Sequence, residues 1–575
     1  MKTFTNELDI ICNYEAIDEK YDLYQLRSSG KYIARGSRVL DLGLNGIRAI
    51  AFDDGASIFV LALKNSIKMF ELAESINDET ILIKQLSSGN VKPYILAKLF
   101  LYSLANSDFE ECSFGNLSGK LYLFKTEWIG KSRKRFKALN IDIKASDDNC
   151  PRITCSACTF SSIKLFKSPK ILETFPRYVF SIKGSLKRTF EKDTDSYIKK
   201  ASGSKKAEVP FIAFGEKDKK LCKANMLLSV IKSFNEKFNS LISLELVTKK
   251  IANKIDIKRD EMFFEKTILL LSGKTIYVSN YILESEEAET YKTLVNAIKY
   301  FLPFSEIVES SEIVKKELNI VLIHNQDYYA DNELNDPYKT FDRSTPIQCV
   351  TVEDACYKGT DVIFKTIIKE LQIKNEIINE HRFIIDDWKT YEYKKSWYFG
   401  VMVDNQAYFM NVLPDGTFKL VKKSSAFSAF KEDIYNSLEK VLFSFKGEDK
   451  MVVFDDAGNI NLIIDTGLIP LPRYELFETD SPRGKESKGN NLCGVLDINI
   501  FDDDNLQYSV GPFGKTLNMS IPSAPHIYQV KTIEGQSKMV DILETLGVQF
   551  VKYNSFTVLP YPFKYIREWI NMSSI

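Results

Sequence analysis

The residues best suited to chemistry lie in the last third of the chain. Asp404 closes one apolar run, Asp455 and Asp456 close another, and Asp497 lies in a third. Acids at strand ends that converge can hold two divalent ions across a phosphodiester. The same Asp-Asn and Asp-Asp-Ala-Gly sequences are also good turns. His324, His381 and His526 are the only histidines. They are too scattered for a His-rich metal site and leave few candidates for a His-based triad, so any catalysis would fall to carboxylates.

Two further motifs fail on their spacing. Cys150, Cys155 and Cys158 form C-x4-C-x2-C, but no fourth ligand is near, and ITCSACTF alternates as a strand, turning Cys155 and Cys158 to opposite faces. GKT occurs at 273–275 and 514–516, yet the glycine that a phosphate-wrapping loop needs five positions earlier is Ile268 in one case and Ser509 in the other.

The 575 residues carry 77 Lys plus Arg against 77 Asp plus Glu, and that balance hides a segregation. Residues 120–260 hold 32 basic and 15 acidic side chains, so this segment is +17 and the remainder −17. Its densest part runs through Lys131, Arg133, Lys134, Arg135 and Lys137, with Lys187 and Arg188 further on. Such clusters neutralise phosphates or form a solvated face meeting acidic protein. The start, MKTFTNELDIIC, has no apolar run, and the best one, residues 95–105, is short and contains Lys98. A cytoplasmic protein with reduced cysteines and no membrane span is expected.

The elements that must position these residues give an α/β multidomain chain. Residues 1–118 read as an α+β domain. Residues 119–261 read as a basic, linker-type α+β domain that ends in an amphipathic helix from Lys223, after a flexible break at 201–206. From 262 to 388, KTILLLSG, LNIVLIHN and TPIQCVTV read as apolar strands alternating with helices Tyr291–Phe301 and Val362–Lys374, a Rossmann-like parallel sheet. From 389 to 575 come three successive strands, a helix at about 428–445 and a return strand, MVVFDD, the opening of a ribonuclease H-like fold.

On that domain order and its short motifs, residues 262–575 resemble the MID and PIWI domains of prokaryotic Argonautes, divergent and without room for a full PAZ domain. TPIQCVT looks like the MID segment whose Gln holds the 5′ end of a guide strand. The resemblance assigns a 5′-phosphate pocket to Tyr338, Lys339, Gln348, Lys369 and Lys374, with Mg²⁺ at the phosphate as an optional cofactor; Tyr338 and Lys339 stand closer to Gln348 than the family pattern has them. Family members that cut carry Gly-Ile-Asp and Arg-Asp-Gly, where this chain has Gly400-Val401-Met402 and Asp455-Asp456-Ala457. Near the carboxyl end it offers Lys564 and Arg567 in place of an acid or His.

The resemblance thus implies a guide-dependent protein that no longer slices. It would pair a short DNA or RNA guide with a complementary target and recruit an effector, a nuclease or helicase, in prokaryotic defence against viruses and plasmids. Phosphates would run over Lys131, Arg133, Lys134, Arg135, Lys137, Lys187 and Arg188. Two alternatives stay open: an active metal-dependent nuclease using Asp404, Asp456 and Asp497, and a non-catalytic scaffold docking on an acidic partner.

Overall fold

The computed structural model describes residues 2–28, 46–53, 57–76, 81–106, 113–117, 120–129, 134–145, 150–166, 175–180, 186–189, 195–200, 209–213, 220–255, 260–282, 288–355, 361–424, 438, 441–442, 451–472, 495, 498–501, 506–511, 524–536, 542–548 and 558–573. The chain divides into two units. One comprises Met1–Ile251, Leu468–Leu496 and Gly514–His526, and the other Ala252–Gly467, Asp497–Phe513 and Ile527–Ile575. The flexible break expected at 201–206, most of the helix expected at 428–445 and the GKT at 514–516 fall outside the described residues.

In the first unit, strands Ile47–Phe52, Ser57–Leu63, Tyr21–Ser28 and Ile81–Leu86 form an antiparallel sheet in that spatial order. Helix Pro93–Ser103 packs on it with nearly every side chain from Ile95 onward buried. Its only charge, Lys98, lies 3.1 Å from Asp142 and donates to the Phe52 carbonyl at 3.2 Å, while Tyr102 donates to the same Asp142 carboxylate at 2.7 Å. A charge inside an apolar run is thereby paired rather than stranded. The helix from Lys223 ends at Phe238 and buries Leu227, Val230, Ile231, Phe234 and Phe238, as its period predicts. Residues from both sides of position 118 share one apolar cluster, from Leu8 through Leu99 and Leu139 to Leu244.

The basic segment builds a second antiparallel sheet. Strands Ser113–Leu117, Lys120–Phe124, Arg135–Ala145, Pro151–Ser162, Tyr197–Ile198, Arg177–Phe180 and Leu186–Thr189 are successive neighbours. Leu186–Thr189 returns beside Ser113–Leu117, so the sheet curls around Phe124, Phe136, Phe160, Tyr178 and Tyr197. Strand alternation turns Phe136 inward, stacked on Phe160 at 5.0 Å, and leaves Arg135 and Lys137 exposed on the other face. Cys155 packs with the larger apolar cluster and Cys158 with the aromatic one, on opposite faces as the alternation requires. Burial pushes their thiols up to about 12 and about 11.

The second unit opens with helix α1 (Asp260–Leu271), and this corrects the sequence reading: KTILLL is the end of a helix, not a strand. Phe263, Phe264, Thr267 and Leu271 are buried at helical spacing, Met262 and Leu269 face solvent, and Gly273, at φ +73°, follows the last turn. A short apolar run fits either structure, and only the longer window separates them. Gly273-Lys274-Thr275 therefore follows a helix, which removes the strand context of a phosphate loop.

Strand β1 (Thr275–Asn280), helix α2 (Ala288–Phe301), strands β2 (Glu306–Ser310), β3 (Leu318–Ile323) and β4 (Ile347–Thr351), and helix α3 (Asp361–Asn375) come next. The strands form a parallel sheet in the order β2-β1-β3-β4. β3, its second inner strand, is buried along its whole length.

Strands β5 (Trp397–Val403), β6 (Gln406–Val412) and β7 (Phe418–Ser424) form an antiparallel meander. Asp404 and Asn405, at φ +49° and +60°, make the two-residue turn between β5 and β6. Strand β8 (Met451–Asp455) pairs with β5, and β9 (Ile460–Leu468) pairs with β8. A strand–helix–strand crossover from β7 should deliver β8 parallel to β5. The observed β5–β8 pair is antiparallel, which corrects the ribonuclease H-like expectation at this strand. The closing helix α4 (Pro562–Ser573) packs Phe563, Tyr565 and Ile566 into the core beside Phe383, Trp388 and Phe399. Among the described residues, no helix is long and apolar enough to cross a membrane.

A close approach in this core requires glycine at position 400. A Cβ there would lie 2.6 Å from the Phe409 ring and 2.8 Å from Val452. Gly400→Ala should therefore lower stability by about 1–3 kcal/mol, read as a drop in thermal midpoint; an unchanged midpoint would mean that the two side chains yield freely.

Candidate functional site

Helix α3 runs beside β4, and helical spacing sets Glu370 and Lys374 one turn apart on one face. The Lys374 ammonium, on a buried side chain, donates to the Ile347 carbonyl and to Gln348 Oε1, both at 2.8 Å. Gln348 Nε2 in turn donates to Glu370 Oε2 at 3.1 Å. Helix α4 contributes Lys564 and Glu568, again four residues apart. Lys564 Nζ lies 2.8 Å from Glu568 Oε1 and 3.4 Å from Glu370 Oε1. The result is one polar chain, Lys374–Gln348–Glu370–Lys564–Glu568, built from a strand and two helices. Burial acts to raise the Glu568 carboxyl, but Lys564 and, more weakly, Lys374 hold it below the ordinary carboxylate value.

Beneath this cluster, Glu376 fastens the end of α3. It is fully buried, and its carboxylate accepts from Tyr565 Oη at 2.7 Å, from the backbone N–H groups of Ile384 and Ile385 at 3.0 and 2.9 Å, and from Gln372 Nε2 at 3.1 Å. Burial pushes this acid up to about 7, although all four hydrogen bonds pull the other way.

Of the residues assigned from the sequence, Gln348 and Lys374 come into direct contact. Tyr338 sits in the turn Pro337–Thr340, packed with Phe341, Ile347 and Cys349, and its ring lies under the Arg343 guanidinium at 4.5 Å. Lys374, Arg343 and Asp336 all bear electrostatically on the Cys349 thiol, so this turn borders the cluster. Lys339 in the same turn is exposed. Lys369 is buried and belongs to the face of α3 that carries Lys365, whose ammonium lies over the Phe264 ring. The residues that sequence reasoning missed are Glu370, Lys564, Glu568 and Arg343. Three of them left a signal, because Glu370–Lys374 and Lys564–Glu568 are both charge pairs four apart.

Of the carboxylates named as an alternative catalytic set, Asp404 and Asp456 do not converge. Asp455 lies opposite Trp397 at the start of β5, while Asp404 follows the end of β5, seven residues on and about 23 Å away at strand rise. Asp456 accepts from Ser396 N–H and Tyr398 Oη, both at 2.9 Å. Asp455 is buried and accepts from the backbone N–H groups of Ala457 and Asn459 and from the Asn459 amide. Burial works to raise its carboxyl, and these bonds prevail and lower it. Both are turn acids, and Asp404 and Asp456 do not fit a shared metal pair. Asp497 lies outside the described residues. Nor does the polar cluster suit Mg²⁺, since Lys564 already lies against both of its carboxylates. Of the basic residues, Lys134, Arg135, Lys137 and Lys187 are exposed and Arg188 is half-buried, while Lys131 and Arg133 lie outside the described residues.

No family model and no curated protein matches the chain. Among solved structures it is similar to Marinitoga piezophila Argonaute in complex with 5′ OH guide RNA and target DNA. The identity is 13%, the coverage 98% of this chain and 97% of that one, and the TM-score 0.43.

The buried acid gives the second unit a defined pH response. With Glu376 at 4.5 unfolded and about 7 folded, the native state holds the extra proton between those values, so its contribution is full below pH 4.5 and is lost as pH rises through 7. Relative to Glu376→Gln, the wild type should lose up to about 3 kcal/mol over that interval in urea unfolding. A difference between the two that does not change with pH would contradict the assignment.

Proposed function

We propose that this protein binds a short guide strand, pairs it with a complementary target and acts through a separate effector, as an Argonaute-like protein of prokaryotic defence. The observation that carries the reading is the 2.8 Å contact between Lys374 and Gln348, the two residues that the resemblance assigns to the guide's 5′ end. They arrive from a helix and a strand whose sequences are 26 positions apart, and Tyr338 packs in the apolar cluster that holds Ile347 and Cys349, the neighbours of Gln348. A buried ammonium beside an amide and an aromatic turn offers charge, hydrogen bonding and a stacking face to a strand end.

In the first unit, the exposed side chains of Arg135, Lys137 and Lys187 on the basic sheet would hold strand phosphates. Phosphate contacts of this kind hold any sequence, so discrimination would come from base pairing. Target cleavage by the chain itself is not part of the proposal, because Asp404 and Asp456 lie at opposite ends of one strand.

Three experiments test this. Nucleic acid extracted from the purified protein should be short and uniform in length. Arg135→Ala, Lys137→Ala and Lys187→Ala should each flatten the dependence of log affinity on log salt by roughly 0.7–1. Absence of bound strands at low salt would favour the scaffold reading. In Mg²⁺ or Mn²⁺ a matched target should remain intact, and Asp404→Ala and Asp456→Ala should leave guide affinity unchanged. Cleavage that Asp456→Ala abolishes would replace this proposal with the nuclease.

A further inference from the structure

We propose that the open edge of the parallel sheet, strand β2, docks an extended basic segment of another protein, which adds to the sheet as a further strand. The edge would serve such a partner whether or not the chain carries nucleic acid.

Strand order and hydrogen bonding define what this edge presents. β2 is outermost in the order β2-β1-β3-β4 and pairs in unbroken parallel register with β1. The Glu306 N–H donates to the Lys274 carbonyl at 3.0 Å, so by alternation Ile307 and Glu309 turn their N–H and C=O groups away from β1. Among the described residues nothing pairs with those groups. Edges are commonly blunted by a proline, a bulge or charged side chains, and β2 has only the charges.

Those charges are all of one sign. Between Lys299 and Lys315 the chain carries Glu306, Glu309 and Glu312, all exposed, and no Lys or Arg. Lys274, whose carbonyl meets β2, has its ammonium 3.5 Å from Glu380. Like charges set opposite each other in a ladder are unfavourable, so the acids disfavour a second copy of this edge and favour a strand bearing Lys or Arg. Alternation puts Ile307 and Glu309 on one face and Glu306 and Val308 on the other, so each face shows one aliphatic side chain and one acid.

The edge begins beside an apolar surface. Tyr300 is 78% exposed, Phe304 71% and Leu269 72%. The Phe304 carbonyl accepts the Gly273 N–H at 2.8 Å, which brings it to the end of α1, one turn past Leu269. Tyr300 stands four residues before Phe304, in the last turn of α2. Exposed aromatics grouped at a strand edge suit a protein interface: main-chain bonds to the edge give affinity, and side-chain contacts make it selective.

The test uses the purified full chain and a labelled, end-blocked peptide of Val-Val-Lys-Lys repeats, long enough to pass Phe304. Such a repeat sets both residue types on each face of a strand. It should bind about tenfold tighter than the same peptide with glutamate for lysine, and the difference should shrink as salt is raised. Glu309→Pro, compatible with the fold because its N–H points away from the sheet, should weaken the lysine peptide about tenfold, and Phe304→Ala several-fold. Absence of binding, equal binding of the two peptides, or a lysine peptide indifferent to either substitution overturns the proposal. So does a dimer that Glu309→Pro turns into a monomer, because a second copy would then hold the edge. Should Glu309→Pro fail to fold, Glu309→Lys decides: it should reduce the preference for lysine, and an undiminished preference overturns the proposal.

Discussion

The end of helix α3 is the point on which the second unit depends. Glu376 gathers four hydrogen bonds, two from the backbone at Ile384 and Ile385, one from Gln372 and one from Tyr565 of the closing helix. A buried carboxylate is costly unless its lone pairs are met, and here each oxygen has two donors. That one group fixes where α3 stops, how the chain turns toward the meander, and where α4 rests. Lys374 lies half a turn before it on α3, and Lys564 stands next to Tyr565 on α4. The polar cluster inherits its geometry from this tie.

Much of this was legible in the residues. Gln348 and Lys374 were identified from their motifs, and their contact required only that β4 and α3 be neighbours in a parallel unit. The separation of Cys155 from Cys158 follows from strand alternation, and the paired state of Lys98 from its place in an apolar helix. What was not legible depends on distant segments. Lys564 and Glu568 lie nearly 200 positions beyond Glu370, and no local pattern announces that their helix packs against α3. The end of the helix at KTILLL reads as a strand because its last four residues, Ile268–Leu271, are all apolar, and the evidence for its period lies upstream, at Phe263 and Phe264.

The carboxylates illustrate the limit of reading function from residue type. Asp404 and Asp456 both sit at ends of strands in one sheet, which is where catalytic acids are found. Strand direction decides the matter. With β8 antiparallel to β5, its acidic end meets the start of β5, and Asp404 is left at the far end in a tight turn that Asp-Asn suits on conformational grounds alone.

The two strands Arg135–Ala145 and Pro151–Ser162 pair along their whole length, and each contributes to two hydrophobic clusters, one on either face. Leu139 and Cys155 belong to the larger core, Phe136 and Phe160 to the aromatic one. Neither cluster can melt without exposing the back of the other, so the basic sheet and the α+β core beside it should open as a single cooperative unit. A surface carrying this much positive charge has a reason to be built so: its own repulsion would otherwise favour fraying, and a shared two-sided core gives fraying nowhere to start.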